Sequence, residues 1–201
     1  MKTIQYTLVD IDIKMVEAWR LFFAEEPNVN IVHGSLLKVD CDTIVSPANS
    51  FGFMDGGVDY YISERLGWGL QEKLQGIIKA LPEGELLVGK ALVLETGDSQ
   101  IPYLISAPTM RVPTNFNIPT SINAYLAMKA VLIEARRHDK ISSVAIPGFC
   151  TGCGRMNHEI AARQMYQAFL EIEKEQRMSF ETFGESQKYQ LHINPKGMIW
   201  S

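Results

Sequence analysis

Ser46-Pro47-Ala48-Asn49-Ser50-Phe51-Gly52-Phe53-Met54-Asp55-Gly56-Gly57-Val58-Asp59 joins a short apolar run, Thr43–Ser46, to a helical pattern over Val58–Arg65. The run is apolar enough for a central strand, and ligands in open α/β sheets sit where such strands end. Gly52, Gly56 and Gly57 can adopt positive φ and let a ligand come close to the backbone. The free N–H groups of the following helix then face that ligand, an arrangement suited to phosphate. A second stretch, Pro147-Gly148-Phe149-Cys150-Thr151-Gly152-Cys153-Gly154-Arg155, repeats the pattern after the short run Ser143–Ile146. A single glycine-rich loop is as often only a tight turn. Two of them, each after a strand and before a helix, point to a phosphate-bearing, nucleotide-like ligand.

Outward from these loops the chain alternates β-branched runs with longer helical ones. Strands are predicted at Ile4–Val9, Val29–His33, Thr43–Ser46, Lys90–Glu95, Tyr103–Ala107 and Ser143–Ile146. Helices are predicted at Asp12–Ala24, with Asp12 as N-cap, and at Val58–Arg65, Gly69–Leu81, Ser121–Arg137 and Asn157–Arg177. Such alternation argues for a sheet covered by helices on both faces. Residues 178–201 form an extension of less regular pattern, in which Tyr189–Ile193 is a candidate edge strand. With no repeat, low-complexity tract or composition break, residues 1–201 read as one domain whose core spans about 31–177.

The bulk properties narrow the function classes. At 201 residues and 46% hydrophobic content, the chain can bury a sizeable core without a disulfide or metal staple. A net charge of −4 argues against direct nucleic-acid binding, which needs a basic face. It leaves room for one small phosphate ligand held by backbone N–H groups. Three cysteines, Cys41, Cys150 and Cys153, make no disulfide framework and fit a reducing compartment. No apolar run has the length of a signal peptide or a membrane span, so no membrane partner is expected and cytoplasm is the expected location.

From about Ile31 to Phe169 the chain resembles the macro domain family of ADP-ribose-binding proteins. The resemblance is strongest over Val45–Ile62, in the Ala48-Asn49 pair, the Gly56-Gly57 run and Val58-Asp59, with the Asn-to-Asp spacing of hydrolytic members. Thr151-Gly152 with Gly154 resembles the family's diphosphate-binding loop. The resemblance implies a three-layer α/β/α domain with a mixed central sheet. It implies that Asn49 contacts the distal ribose, that Asp59 orients or activates water, and that both loops grip the diphosphate. Three positions depart from the family pattern. Gly34-Ser35-Leu36 lacks the aspartate that reads the adenine amino group, so that reading is weakened or moved elsewhere. Ser46 replaces the first asparagine of the usual Asn-Ala-Ala-Asn. The second loop is one residue shorter than in many relatives and lacks the aromatic that packs on the distal ribose, for which Phe149 is a candidate substitute. The implied activity is hydrolysis of an ADP-ribose derivative, either O-acetyl-ADP-ribose or an ADP-ribosyl group on a macromolecule. The alternatives are a non-catalytic ADP-ribose reader and an ADP-ribose 1''-phosphate phosphatase. Neither cofactor nor metal is required.

Individual residues carry both structural and chemical readings. Asp59 falls in the first turn of a predicted helix, where the dipole favours a carboxylate, so an ionised, weakly basic group is expected. Asp55 reads as a solvated turn residue. Cys150 and Cys153 form a C-x-x-C ahead of His158, but at most three metal ligands lie nearby, one fewer than a structural zinc site needs. Gly84–Ala91 nearly spells a phosphate loop. It lacks the hydroxyl at Ala91, and a strand rather than a helix is predicted to follow. Arg111, in a proline-stiffened loop after a strand, is a candidate phosphate or ribose contact. The predicted ligand wall is therefore Ser35, Leu36, Ala48, Gly56, Gly57, Val58, Arg111, Gly148, Phe149, Cys150, Thr151, Gly152, Cys153 and Gly154, around Asn49 and Asp59.

Overall fold

Tyr6 and Leu8 are buried in one hydrophobic cluster and Val9 in another, because side chains alternate across a strand. In the computed structural model, which describes residues 2–195, they belong to β1 (Gln5–Asp10), inside a six-stranded sheet. The other strands are β2 (Val29–His33), β3 (Thr43–Ser46), β4 (Leu92–Glu95), β5 (Tyr103–Ser106) and β6 (Ser143–Ile146). Their order is β2-β1-β6-β3-β5-β4, all parallel except β4, which runs antiparallel to β5. The mixed sheet expected from the sequence is present. In the β3–β5 register Ile44 faces Leu104 and Ser46 faces Ser106.

Helices cover both faces. On one side α1 (Ile13–Phe23), α4 (Asn123–Arg137) and α5 (His158–Glu173) enclose the larger cluster, with Trp19, Phe23, Val131 and Phe169 at its centre. On the other side α2 (Gly57–Leu66) and α3 (Gly69–Ala80) close the smaller one over Ile44, Leu104 and Ala145 with Ile62, Leu74 and Ile78. Asp12 caps α1 as expected, its carboxylate accepting the Lys14 N–H. Gly67 separates α2 from α3 at φ 92°, a conformation that suits glycine. Since β1 lies between β2 and β6, residues before Ile31 belong to the sheet core as fully as those after it.

Most bounds fall within two residues of the expectation, and three departures have a visible cause. β4 starts at Leu92 because Lys90 still closes a turn onto Leu87, with Gly89 at φ 94°. α5 stops at Glu173, and Glu175 follows at φ 56°, outside right-handed helix. The candidate edge strand at Tyr189–Ile193 is instead part of a helix, α6 (Phe183–Ile193). Thr182 caps it by accepting the Glu185 N–H, while Glu185 reaches back to the Glu181 N–H. Thr182-x-x-Glu185 is a capping-box signal that outranks the β-branched look of the segment's end. Tyr189 then ties α6 to Glu171 of α5, which also accepts from Tyr125 and Lys129. Residues 196–201 of the predicted extension lie outside the described residues. No described helix is long and apolar enough to cross a membrane.

Candidate functional site

All five parallel strands release their chain at the same edge of the sheet, and the loops that leave them enclose a cleft of about 840 Å³. Val9–Asp12 come from β1, Gly34–Leu37 from β2, Pro47–Asn49, Phe53 and Asp55–Asp59 from β3, Thr109, Met110 and Pro113 from β5, and Pro147, Gly148 and Cys150–Gly154 from β6. This is the crevice beyond the carboxyl ends of strands, where open α/β sheets take ligands.

The first loop is fastened before it reaches the helix. Ser50 N–H donates to the Arg111 carbonyl and Thr109 N–H to the Ala48 carbonyl, which binds it to the loop after β5. The Asn49 side chain turns back on its own loop. Its carbonyl accepts from the Phe51 and Phe53 N–H groups, and its amide donates to the Phe53 carbonyl at 2.9 Å. Gly52 and Gly57 have positive φ, as expected, whereas Gly56 is extended at φ −141° and needs no glycine on that ground. A Cβ on Gly56, Gly57 or Gly152 would meet no atom within 4 Å, because each faces open space. The N–H groups of the first turn of α2 lack partners within the helix, an arrangement suited to an anion.

Asp59 stands in that first turn and is 7% exposed, on the wall of the cleft. Its Oδ1 accepts a hydrogen bond from Ser46 Oγ at 2.6 Å. The expectation of a dipole-favoured, ionised carboxylate is overturned. Loss of solvation outweighs the Ser46 hydrogen bond and raises the carboxyl to about 7, so near neutral pH it can either hold or release a proton. Asp55 is exposed on the same wall.

In the second loop a Cβ on Gly148 would lie 2.6 Å from Asp10 Oδ2, and one on Gly154 would lie 2.6 Å from the Cys150 carbonyl. These glycines are required by close packing, not by φ. Cys150 sits at φ 64° with its thiol buried against the Thr109 carbonyl, and burial pushes that thiol up to about 12. Such a group stays protonated and is no nucleophile at neutral pH. Cys153 is exposed, and no group of three metal-binding side chains occurs among the described residues.

Most of the predicted wall is brought together: Ser35, Leu36, Ala48, Asn49, Gly56, Gly57, Val58, Asp59, Gly148, Cys150, Thr151, Gly152, Cys153 and Gly154 all line the cleft. Two predicted residues do not. Phe149 is fully buried in the larger core cluster, because the bend that follows β6 packs its ring there, and it offers no face to a ligand. Arg111 is held outside the cleft by Glu85 at 2.7 Å and lies over the Phe51 ring. Sequence reasoning missed Asp10, whose carboxylate accepts from the Asp12 and Gly148 N–H groups while its carbonyl accepts from Gly34. Thus one residue at the end of β1 joins three walls of the cleft. Also missed were Ile11, Phe53 and Tyr61, exposed apolar side chains whose only sequence signal was their place beside the loops.

The Macro domain family model matches residues 45–165. An uncharacterized protein of Aquifex aeolicus is 34% identical over 146 residues, covering 73% of this chain and 83% of that one. A DNA ADP-ribosyl glycohydrolase of Mycobacterium tuberculosis is 28% identical over 141 residues, covering 69% of this chain but only 38% of that protein. The Oceanobacillus iheyensis macrodomain with ADP superposes with a TM-score of 0.61 at 21% identity, covering 79% and 88% of the two chains. A mixed α/β sheet with a loop-lined cleft and this family match define the class: the chain belongs to the macro domain family.

Proposed function

We propose that this chain binds ADP-ribose in the cleft and hydrolyses an ADP-ribosyl bond with Asp59 as the base. The observation that carries the reading is the Asp59 carboxyl itself, buried on the cleft wall, raised to about 7 and held by a single hydroxyl. A general base works best when its proton affinity is matched to the working pH. Asp59 would take a proton from water as the water oxygen bonds to the anomeric carbon of the distal ribose. The bond from that carbon to the acceptor group breaks, and the proton returns to the departing group. The start of α2 at Gly56, Gly57 and Val58, with Thr151, Gly152 and Gly154 opposite, would hold the diphosphate through backbone N–H groups.

The acceptor that the site favours is a planar group such as a nucleobase. Phe53 and Tyr61 stand exposed on the cleft wall that also carries Asp59, and Tyr61 continues through Tyr60 to Trp68 with ring centroids 5.5 and 5.9 Å apart. Exposed rings of this kind stack bases whatever their sequence. The mycobacterial relative, named for DNA ADP-ribosyl hydrolysis, supports the same choice. A second reading, ADP-ribose binding without hydrolysis, is favoured by one feature: the Asn49 side chain is occupied with its own loop.

Calorimetric titration with ADP-ribose, AMP and ADP tests the ligand, and release of ADP-ribose from ADP-ribosylated single-stranded DNA and from O-acetyl-ADP-ribose tests the chemistry. Gly57→Glu would fill the diphosphate space with bulk and like charge and abolish binding; a folded variant that retained affinity would refute the loop assignment. Binding without release from either substrate would select the second reading.

A further inference from the structure

Ser46, which departs from the family pattern, has a definite place in the structure. It is the last residue of β3, fully buried, and its hydroxyl donates to Asp59 Oδ1 at 2.6 Å. That length is typical of a hydroxyl bonded to a carboxylate. Burial and this hydroxyl are the two influences on the Asp59 carboxyl. The other titratable groups on the cleft wall are Asp55 and Tyr61 from its own loop and helix, Asp10 and Asp12 from the end of β1, and Cys150 and Cys153 from the second loop. None of them counters the burial of Asp59.

Burial drives a carboxyl toward its neutral form, whereas a donated hydrogen bond favours the anion. A carboxylate with one oxygen fixed also has its plane fixed. We propose that Ser46 is the positioning residue of this site: its hydroxyl holds Asp59 Oδ1, leaves Oδ2 to face the cleft, and keeps the side chain in the form that can accept a proton from water. The inference rests on the hydrolytic reading above for its catalytic consequence, though the Ser46–Asp59 coupling exists without it. The structure also supplies an internal control. Ser106 faces Ser46 across the β3–β5 register, is equally buried, and its hydroxyl has no partner among the described residues. Deleting it removes a buried hydroxyl beside the site without touching Asp59.

The test uses the full chain as wild type, Ser46→Ala, Ser46→Cys and Ser106→Ala. The Asp59 carboxyl is titrated directly by carbon NMR without substrate, and the pH profile of kcat/KM is recorded with the ADP-ribosyl substrate that wild type turns over. Hydrogen bonds to charged groups are strong enough that Ser46→Ala should raise the Asp59 midpoint by about one pH unit or more. On the acidic limb kcat/KM should then fall about tenfold, with ADP-ribose Kd within about threefold of wild type. Ser46→Cys, a weaker donor of similar size, should shift the midpoint less and in the same direction, and it carries the test if the alanine variant does not fold. Ser106→Ala should leave the midpoint in place. An unmoved midpoint in the folded Ser46 variants, or an equal shift in Ser106→Ala, would overturn the proposal. If wild type turns over no substrate yet Ser46→Ala moves the NMR midpoint, the hydrolytic reading fails while the coupling stands.

Discussion

Replacing Asp59 by Asn should stop hydrolysis and, with rising pH, make the protein progressively more stable than wild type. The carboxyl titrates near 7 in the fold and near 3.8 unfolded, a gap equivalent to about 4 kcal/mol. The folded value is the raised one. The stabilisation it gives is therefore complete below about 3.8 and is lost as pH rises through about 7, where the buried group must ionise. By linkage about 3 kcal/mol of that loss falls between about pH 5 and about pH 8.5. An asparagine at this position cannot ionise and can still accept the Ser46 hydrogen bond. Any fixed cost of burying its amide is the same at both pH values and drops out. The assay is urea unfolding of both proteins at the two pH values, read as the change in their stability difference. That difference should move toward the variant by about 3 kcal/mol, or roughly 6–12 °C in Tm for a domain of this size. Parallel stability curves for the two proteins would refute the buried, neutral-leaning carboxyl, and with it the base assigned to Asp59.

Three further expectations follow from the loops. Gly154→Ala would place a methyl 2.6 Å from the Cys150 carbonyl and from Ile118; it should lower stability by about 1–3 kcal/mol in denaturant titration, and an unchanged midpoint would contradict the close packing. Iodoacetamide should label exposed Cys153 well before Cys150, whose thiol stays protonated up to about 12; mass spectrometry showing equal rates would undo that distinction. Arg111→Ala should leave ADP-ribose affinity within about threefold of wild type, since its guanidinium is engaged by Glu85 and Phe51 outside the cleft. A loss of binding greater than about tenfold would return Arg111 to the site.

The strands and most helices were legible because each carries its own period: Thr43–Ser46 is buried on both faces and reads as a continuous apolar run, and Asn123–Arg137 repeats apolar residues at helical spacing. The two loops were legible because glycines after short strands say where a backbone must bend or be approached. What stayed hidden depended on tertiary placement. Nothing local distinguishes Phe149, turned into the core, from Cys150 beside it on the cleft wall. The ionisation of Asp59 was misjudged for a related reason. Its helix position is visible in sequence, but the burial that dominates its chemistry is made by β3 and the loops packed around it. Asp10 escaped notice because its three backbone partners come from residues as distant as Gly148. The capping signal at Thr182–Glu185 was readable, and a β-branched ending masked it.

The position of Asp10 also bears on how this protein could diversify. The loops after β1, β2 and β6 are held together by one residue on the sheet itself. The segment after β5 lies outside that anchor and ends in the exposed side chains Val112 and Phe116. Substitutions there can reshape what approaches the cleft mouth while the loops joined at Asp10 keep their places. Gly148 and Gly154 lack that freedom, because neither has room for a side chain. Divergence would accordingly accumulate at exposed positions of that segment such as Val112 and Phe116, with the close-packed glycines of the cleft retained.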